Sequence, residues 1–307
     1  MHFIDMLVEN HPIRKTKQQK QAFREWFIAR AGEMGYAAQA DEKGYSRNVT
    51  VGDPDAARVI FTAHYDTPPV MPIPNFITPR NIAFYLVYQL GIALLMILIA
   101  GGAAALVGWL TKVPELGGLA AVVACYAMLG LLLFGPANKS CVNDNTSGVA
   151  AVMEIMSRLT PDQRSKAAFI LFDNEEKGLL GSASFASKHK EIKKNTLLIN
   201  LDCVGDGEHV FFFTGKKTRA LPAYALLTEA LSQQEGRQLH MENMESSVYP
   251  SDQANFNHGI AVCSCNHMKV LGYYVDKIHT KKDTVCNQEN MDFLGQGLSC
   301  FVEKLEA

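Results

Sequence analysis

The apolar positions of this chain fall into three patterns, two of which predict ordinary strands and helices. Short, mainly apolar runs, for example residues 59–63 and 167–172, alternate with segments in which apolar residues recur every three or four positions. The runs predict buried strands, and the periodic segments predict helices such as residues 147–159, with Ser147 as the N-cap. This alternation predicts an α/β fold with a mostly parallel central sheet flanked by helices.

The third pattern consists of two long runs without a charged residue, 81–110 and 116–137. A helix that spans a bilayer needs ~20 mostly apolar residues, so each run is long enough. The short link "TKVPE" between them predicts a helical hairpin that contacts the lipid bilayer through both runs. A pair of buried core helices or dimer-forming helices is the alternative, but the Gly and Ala content suits close helix packing in lipid.

The hairpin interrupts the main domain of the chain. We predict a discontinuous main domain, residues 1–79 and 138–307, and a membrane insertion at residues 80–137. Lys112 is the only basic residue in the loop of the hairpin, whereas Arg80 and Lys139 lie at its outer ends. Basic residues favour the cytoplasmic side of a membrane. The N-terminal segment also lacks the apolar stretch and cleavage site of a secretory signal. We therefore predict an integral membrane protein with two spans and a cytoplasmic main domain.

Composition narrows the possible functions. With 29 Lys and Arg against 31 Asp and Glu, the net charge of -2 gives no argument for binding nucleic acid. The seven cysteines include no C-x-x-C pair, which favours free thiols in a reducing compartment over a disulfide framework or a zinc ribbon. The oligomeric state is left open by the sequence.

Residue types that commonly bind metals follow three of the predicted strands. His64 and Asp66 follow the first, Glu175 and Glu176 the second, and Asp202 the third. Ligands bind beyond the carboxyl ends of strands in open α/β sheets, so we expect these residues to converge. The adjacent glutamates repel each other unless a cation neutralises them or one stays protonated. A solvated acidic turn that caps the next helix is the alternative explanation.

Five sequence blocks occur in order along the chain: "TAHYDTPP", "VNDNTSGVAAVMEI", "FDNEEKGLLGS", "INLDCVGDG" and "KIHTKKDTV". This set resembles the co-catalytic zinc aminopeptidase family, which includes bacterial secreted leucyl aminopeptidases and yeast aminopeptidase Y. The resemblance covers residues 48–289 apart from the apolar insert. It implies a zinc-exopeptidase-like fold, two zinc ions per chain and peptide substrates.

The resemblance also implies roles for individual residues. Its five zinc ligands, carried over block by block, are His64, Asp144, Glu176, Asp202 and His279. Asp144 would bridge the two ions, with His64 and Asp202 completing one site and Glu176 and His279 the other.

Further roles follow from the same resemblance. Glu175 would be the general base that takes a proton from the attacking water and passes it to the leaving amine. Asp66 would accept the ring N–H of His64 and fix its orientation. The segment "VYPSDQANFNHGI" resembles a later block of the family and implies three residues that line the substrate pocket: Tyr249, Ser251 and Asp252.

The predicted function is that of a membrane-anchored di-zinc aminopeptidase. The alternatives are a glutaminyl-cyclase-like acyltransferase, which resembles a one-zinc enzyme of the same fold, a non-catalytic binding module, and a membrane scaffold. The chain departs from the family pattern between His64 and Asp144, where secreted relatives have a short loop and this chain has the hairpin. We therefore expect the metal site to lie close above the membrane surface.

Overall fold

The computed structural model describes residues 1–41 and 43–306 and contains a nine-stranded sheet. The strands are β1 (Ala38–Ala40), β2 (Val49–Val51), β3 (Val59–His64), β4 (Ala167–Phe172), β5 (Leu197–Leu201), β6 (His209–Thr214), β7 (Gln238–Asn243), β8 (Gly259–Met268) and β9 (Gly272–Tyr274). Strands β3, β4 and β5 are buried along their whole length. Such continuous apolar strands are typical of the centre of a sheet that is covered on both faces.

The strands are arranged in the order β1-β2-β4-β3-β5-β8-β6-β7, with β9 paired to β8. The pairings β4–β3, β3–β5, β5–β8 and β6–β7 are parallel. The remaining four pairings are antiparallel, so the sheet is mixed and its continuous parallel part is at the centre. Short connections join β1 to β2 and β8 to β9, and short connections can only join antiparallel strands.

Helices cover both faces of the sheet, as the α/β prediction requires. They are α1 (Phe3–Asn10), α2 (Lys17–Glu33), α3 (Ile82–Thr111), α4 (Pro114–Phe134), α5 (Gly148–Arg158), α6 (Pro161–Arg164), α7 (Leu180–Lys188), α8 (Lys190–Asn195), α9 (Lys216–Arg219), α10 (Pro222–Ser232) and α11 (Gln288–Lys304). Val59 and Phe61 of β3 share a core with α1, α2, α5, α10 and α11. Ile60, which points the opposite way, packs with α7 and α8. The α/β fold is therefore confirmed as a sheet between two helical layers.

The N-terminus of α5 differs in detail from the sequence prediction. Ser147 already has helical dihedrals and makes no capping hydrogen bond with its side chain; its hydroxyl donates to the carbonyl of Asn143 instead (2.6 Å). Asn145 Oδ1 accepts from the amide of Gly148 (3.0 Å) and so replaces Ser147 in the capping role. The reason is that the segment before α5, Val142–Ser147, is kinked at Asp144 and Asn145, whose dihedrals are not helical, so the helical conformation begins after Asn145.

Helices α3 and α4 form the hairpin that the two uncharged runs predict. They are separated by two residues and approach closely where a Cβ at Gly117 would lie 2.7 Å from the carbonyl oxygen of Ala104. Each helix is long and apolar enough to cross a membrane, and only 6% of its most apolar window is buried. This exposure separates both helices from the core helices of the sheet layers, which bury their apolar side chains.

Hydrogen bonds at the base of the hairpin join the segment that precedes it to the segment that follows it. Val70 N donates to the carbonyl of Pro136, and Asn138 N donates to that of Pro68, both at 2.8 Å. Asn81 caps the start of α3 with its side chain. Both ends of the hairpin therefore leave the main part of the molecule next to each other.

Candidate active site

The polar residues that follow β3, β4 and β5 meet at one edge of the sheet. His64 is the last residue of β3, Asp202 follows β5 directly, and Glu175 and Glu176 begin a 3₁₀ turn after β4. Because β4, β3 and β5 are parallel neighbours, their carboxyl ends lie side by side. The convergence expected from the sequence is therefore present in the structure.

Two further residues reach the same place from outside the sheet. Asp144 comes from the turn before α5, and His279 comes from the loop between β9 and α11. Asp144 Oδ1 lies 3.2 Å from His64 Nε2, and Asp144 Oδ2 lies 3.1 Å from His279 Nε2. Asp202 Oδ1 completes the first group, 3.6 Å from His64 Nε2, and Glu176 Oε2 completes the second, 3.4 Å from His279 Nε2. The Asp144 carboxylate thus belongs to both groups of donor atoms, with one oxygen in each.

The donor atoms fit zinc in type and spacing. Imidazole nitrogens and carboxylate oxygens are usual zinc ligands, and ligands ~2.0–2.2 Å from a tetrahedral zinc lie roughly 3.3–3.6 Å from one another. The separations in the two groups are 3.1–3.6 Å. Within each group, all ligand atoms lie within 4.8 Å of one another. The geometry therefore makes these two groups adjacent candidate metal sites.

The electrostatics of the site also call for positive charge. Burial lowers the pKa of His64, but Glu175, Asp144 and Asp202 outweigh it and raise that pKa well above its usual value. Burial raises the pKa of Glu176 well above its usual value, and the carboxylates of Asp144 and Glu175 raise it further. Without a cation the site therefore takes up protons, and a bound metal ion would replace them.

Glu175 lies beside the donors and faces the same cavity. Its carboxylate lies within 4.8 Å of ligand atoms of His64 and Glu176. Burial raises the pKa of Glu175 well above its usual value, against the effect of His64, and Asp252 adds to the rise. A buried glutamate with a raised pKa beside a metal site is suited to accepting and returning a proton.

Asp66 holds the turn that carries both glutamates. Its two carboxylate oxygens accept from the backbone amides of Glu175 (3.0 Å) and Glu176 (3.3 Å). Asp66 Oδ1 lies 3.4 Å from His64 Nδ1, a nitrogen that makes no hydrogen bond within residues 1–41 and 43–306. Burial would raise the pKa of Asp66, but His64 and Lys20 lower it below its usual value. Asp66 therefore remains an ionised acceptor for the turn, a role that the resemblance did not include.

The three residues predicted to line the substrate pocket have different positions. A cavity of about 260 Å³ opens at this candidate metal centre, and Tyr249 lines it together with Ile77 and Leu179. Ser251 is fully buried and donates to Asp202 Oδ2 (2.5 Å), so it contacts a donor of the metal centre. Asp252 is also fully buried, and burial raises its pKa to about 7.

Two positioning residues were missed by the sequence analysis. Asp283 accepts from the backbone amides of Asn143 (2.8 Å) and Asp144 (3.1 Å). Asn145 donates through Nδ2 to the carbonyl of Leu201 (2.9 Å), which ties the turn to the end of β5. Asp283 lies in the block "KIHTKKDTV", four residues after His279, so its acidic side chain was the available signal.

The acidic residue that precedes the glutamate pair is not a solvated cap. Asp173 is 3% exposed, and its Oδ1 lies 2.5 Å from Lys20 Nζ of α2. Its Oδ2 accepts from the backbone amide of Arg47 (2.9 Å). The explanation of this turn as an exposed acidic helix cap therefore does not hold for Asp173.

The backbone around the metal centre adopts left-handed conformations at non-glycine residues. These include Asn174, which precedes Glu175, and Cys203, which follows Asp202, with φ of 58° and 56°, and His279 itself, with φ of 62°. Such conformations are uncommon outside glycine and cluster at functional sites.

The sequence matches the model of peptidase family M28 over residues 129–296, which is more than half of the chain. The chain belongs to peptidase family M28. This M28 match includes four of the five proposed ligands and leaves out His64, which lies before the hairpin. A comparison with curated proteins gives no match.

Solved structures share the fold of this M28 chain at low sequence identity. A Zn-dependent exopeptidase from Parabacteroides distasonis is 16% identical, with a TM-score of 0.63, and the alignment covers 99% of this chain and 96% of that one. A Porphyromonas gingivalis glutaminyl cyclase is 16% identical, with a TM-score of 0.61 and coverage of 98% and 96%. The Legionella pneumophila LapA aminopeptidase is 15% identical, with a TM-score of 0.57 and coverage of 99% and 69%. These likenesses confirm a zinc-exopeptidase-like fold.

Proposed function

We propose that this M28 metallopeptidase is a membrane-anchored di-zinc aminopeptidase that removes N-terminal residues from peptides. The observation that supports this most directly is the position of the Asp144 carboxylate, whose two oxygens face two separate groups of donor atoms. A carboxylate shared in this way is what a two-metal hydrolytic site requires.

In this proposal His64 and Asp202 hold one zinc ion, Glu176 and His279 hold the other, and Asp144 holds both. Bound zinc would supply Lewis-acid polarisation of the scissile carbonyl and a lowered pKa for the attacking water. Three other residues support the donors: Asp66 fixes the turn of Glu176, Asp283 fixes the turn of Asp144, and Ser251 holds Asp202.

Glu175 is the proposed general base. It takes the proton of the attacking water as the water adds to the peptide carbonyl, and it then returns that proton to the leaving amine. The environment suits both steps, because burial favours the neutral form of Glu175 while His64 favours the ionised form.

The cavity supports action at a chain terminus. Its volume of about 260 Å³ lies below the ~300–1,000 Å³ of pockets that enclose drug-sized ligands, and it suits one residue and its peptide bond. Of the four carboxylates that line it, Glu175 is the one that the proposal does not assign to zinc, and it could pair with a free α-ammonium group. This charge match is the reason that we propose aminopeptidase over carboxypeptidase action.

Membrane anchoring through α3 and α4 is part of the proposal. The exposed apolar surface of both helices and the short connection between them support a hairpin that enters and leaves the bilayer on one side. Residues 1–79 and 138–307 would then form the catalytic domain, and residues 80–137 the anchor. Arg80 and Lys139 at the outer ends support a cytoplasmic catalytic domain.

The test is hydrolysis of a peptide mixture by the purified full-length protein in detergent, followed by mass spectrometry. Each peptide is present with a free and with an acetylated N-terminus, and the mixture includes peptides that begin with glutamine. We expect single N-terminal residues to be lost from the free forms alone, with activity abolished by a chelator and restored by zinc. Cleavage of acetylated peptides at their C-termini would contradict aminopeptidase action. Cyclisation of N-terminal glutamine without cleavage would establish a glutaminyl cyclase.

A further inference from the structure

A strongly basic cavity lies beside the metal centre. It has a volume of about 400 Å³, and its lining includes six Lys and Arg side chains but a single carboxylate, that of Asp173. The six cations are Lys15, Lys17, Lys20, Arg24, Arg47 and Lys177. Asp173, Asn174 and Lys177 belong to the same loop as the proposed base and metal ligand, so the two cavities share a wall.

Three of these cations are not engaged in an ion pair, although Lys15 lies within electrostatic range of Glu176 and Asp66. Lys20 is paired with Asp173 (2.5 Å), and Arg24 donates to the hydroxyl of Tyr65 (2.9 Å). Within residues 1–41 and 43–306, the ammonium groups of Lys15 and Lys17 and the guanidinium group of Arg47 make no hydrogen bond or ion pair. Three such cations around one concavity create a positive potential that favours an anionic ligand.

The basic cavity also adjoins the point where the chain leaves the proposed membrane hairpin. Lys177 Nζ lies 5.7 Å from the ring centroid of Phe134, which is the last residue of α4. Arg14, which precedes Lys15 of the cavity in the chain, donates through its backbone N to Thr67 Oγ1 (2.8 Å), just before the hairpin base. The sulfur of Cys141, just after the hairpin, donates to the carbonyl of Pro12 (3.2 Å).

We propose that this basic cavity binds the phosphate-bearing headgroup of an anionic phospholipid in the membrane that holds the hairpin. The proposal rests on the membrane anchoring proposed above and is independent of the peptidase chemistry. The contact between Lys177 and Phe134 favours a lipid over an acidic peptide, because it places the cations at the level where a span meets the headgroups. Basic residues at this level are attracted to anionic leaflets by about 1 kcal/mol each, or about fivefold in affinity.

A lipid bound in the basic cavity would fix the position of the enzyme at the membrane surface. A headgroup held by Lys15, Lys17 and Arg47 would lie next to the loop that carries Glu175 and Glu176. The metal centre would then be held at the membrane surface by two attachments, the hairpin and the lipid. A peptide bound at the same surface would reach the metal cavity without leaving the headgroup region.

The test is lipid binding by the full-length protein in a neutral detergent. Native mass spectrometry would measure the dissociation constants of short-chain phosphatidylglycerol and phosphatidylcholine, and inorganic phosphate would be added as a competitor. We expect tighter binding of phosphatidylglycerol than of phosphatidylcholine. In the triple variant Lys15→Gln, Lys17→Gln and Arg47→Gln, phosphatidylglycerol should bind on the order of 10²-fold more weakly, at about fivefold for each charge removed.

The matched control is the triple variant Lys190→Gln, Lys193→Gln and Lys194→Gln on α8. These lysines are exposed and precede β5, whereas the metal centre follows β5 at its opposite end. The control removes the same charge from the opposite end of the strand, so we expect it to bind phosphatidylglycerol as the wild type does. Zinc content and the thermal unfolding temperature of both variants would show that each remains folded.

Four outcomes would overturn the lipid site. Equal binding of the two lipids, or equal loss in both triple variants, would mean that the basic cavity does not select anionic headgroups. Displacement of phosphatidylglycerol by inorganic phosphate at similar concentrations would identify a site for a free anion. A changed preference for acidic peptides with unchanged lipid binding would identify a peptide subsite. Selective lipid binding by a protein that cleaves no peptide would leave the lipid site intact and contradict the peptidase proposal alone.

Discussion

The role of Asp144 depends on how its two carboxylate oxygens are divided. Oδ1 faces His64 and Oδ2 faces His279, so each oxygen completes a separate group of donors. The backbone amide of Asp144 donates to the carboxylate of Asp283, and this hydrogen bond fixes the backbone of Asp144. Asp144 is 4% exposed, so the orientation of its side chain is set by these contacts and by the packing of the turn.

We expect the substitution Asp144→Ala to reduce zinc binding from two ions to at most one per chain. The reason is that both groups lose their shared ligand at once. The measurement is metal content by mass spectrometry after equilibration with buffered zinc. Asp162→Ala on α6, an exposed acidic residue, is the control and should keep the wild-type content. Two tightly held zinc ions in the Asp144 variant would contradict the bridging role.

A second substitution separates the proposed base from the ligands. Glu175→Gln keeps the size of the side chain and removes its ability to accept a proton. We expect zinc content to be unchanged and kcat to fall by about 10²–10⁴-fold, the usual contribution of general acid–base catalysis. Glu191→Gln on the exposed surface of α8 should have no effect on either quantity. A Glu175 variant that keeps most of its kcat would show that another group takes the proton.

At the scale of secondary structure, the hairpin depends on small residues where its helices meet. An added Cβ at Gly117 would lie 2.7 Å from the carbonyl oxygen of Ala104 and 3.4 Å from Gly108, whereas one at the adjacent Gly118 meets nothing within 4 Å. Such close approach of helices is typical of packing in lipid. There is no hydrophobic driving force between helices in lipid, and small residues let the backbones come close enough for van der Waals packing. The two neighbouring glycines therefore form a matched pair for testing the interface.

We expect Gly117→Val to force the two helices apart and Gly118→Val to be tolerated. Overpacking of a close contact typically costs about 1–3 kcal/mol. The measurement is the thermal unfolding of the full-length protein in detergent, together with disulfide cross-linking between cysteines placed on α3 and α4. Loss of cross-linking in the Gly117 variant alone would support the interface. Equal effects of the two substitutions would place the contact between the helices elsewhere.

The convergence of the candidate ligands was predictable from the sequence, because strands end where polar residues follow apolar runs. Parallel neighbours then bring His64, Glu176 and Asp202 together without further information. The strands at the edges of the sheet were harder to predict from the sequence. Strand β7, with the sequence "QLHMEN", was missed because it is half-exposed and lacks a continuous apolar run.

Contacts between distant segments could not be predicted from spacing. The ion pair between Lys20 and Asp173 joins residues 153 positions apart, and the basic cavity is assembled from separate segments of the chain. The division of the Asp144 oxygens depends on a side-chain orientation. Such features depend on the packed structure, so a pattern of residue types does not contain them.

At the scale of the whole molecule, the hairpin and the metal centre are physically connected. Met71 N donates to the carbonyl of His279 (2.7 Å), and Asn138 Nδ2 donates to that of Thr280 (2.9 Å). The loop that carries one proposed zinc ligand is therefore hydrogen-bonded to both ends of the hairpin base. A change in the position of the hairpin would be transmitted directly to His279.

The same arrangement leads to a prediction about topology. Helix α3 has 30 residues and is therefore ~45 Å long, which exceeds the ~30 Å of a bilayer's hydrocarbon core. Thr111, its last residue, should then lie on the membrane face opposite to the main domain. We expect Thr111→Cys to react with a membrane-impermeant maleimide in intact cells, and Ser187→Cys on the exposed surface of α7 to react only after permeabilisation. The wild type, with its seven cysteines, gives the background. The reverse pattern would place the main domain outside the cell, and equal labelling in intact cells would mean that the hairpin does not cross the bilayer.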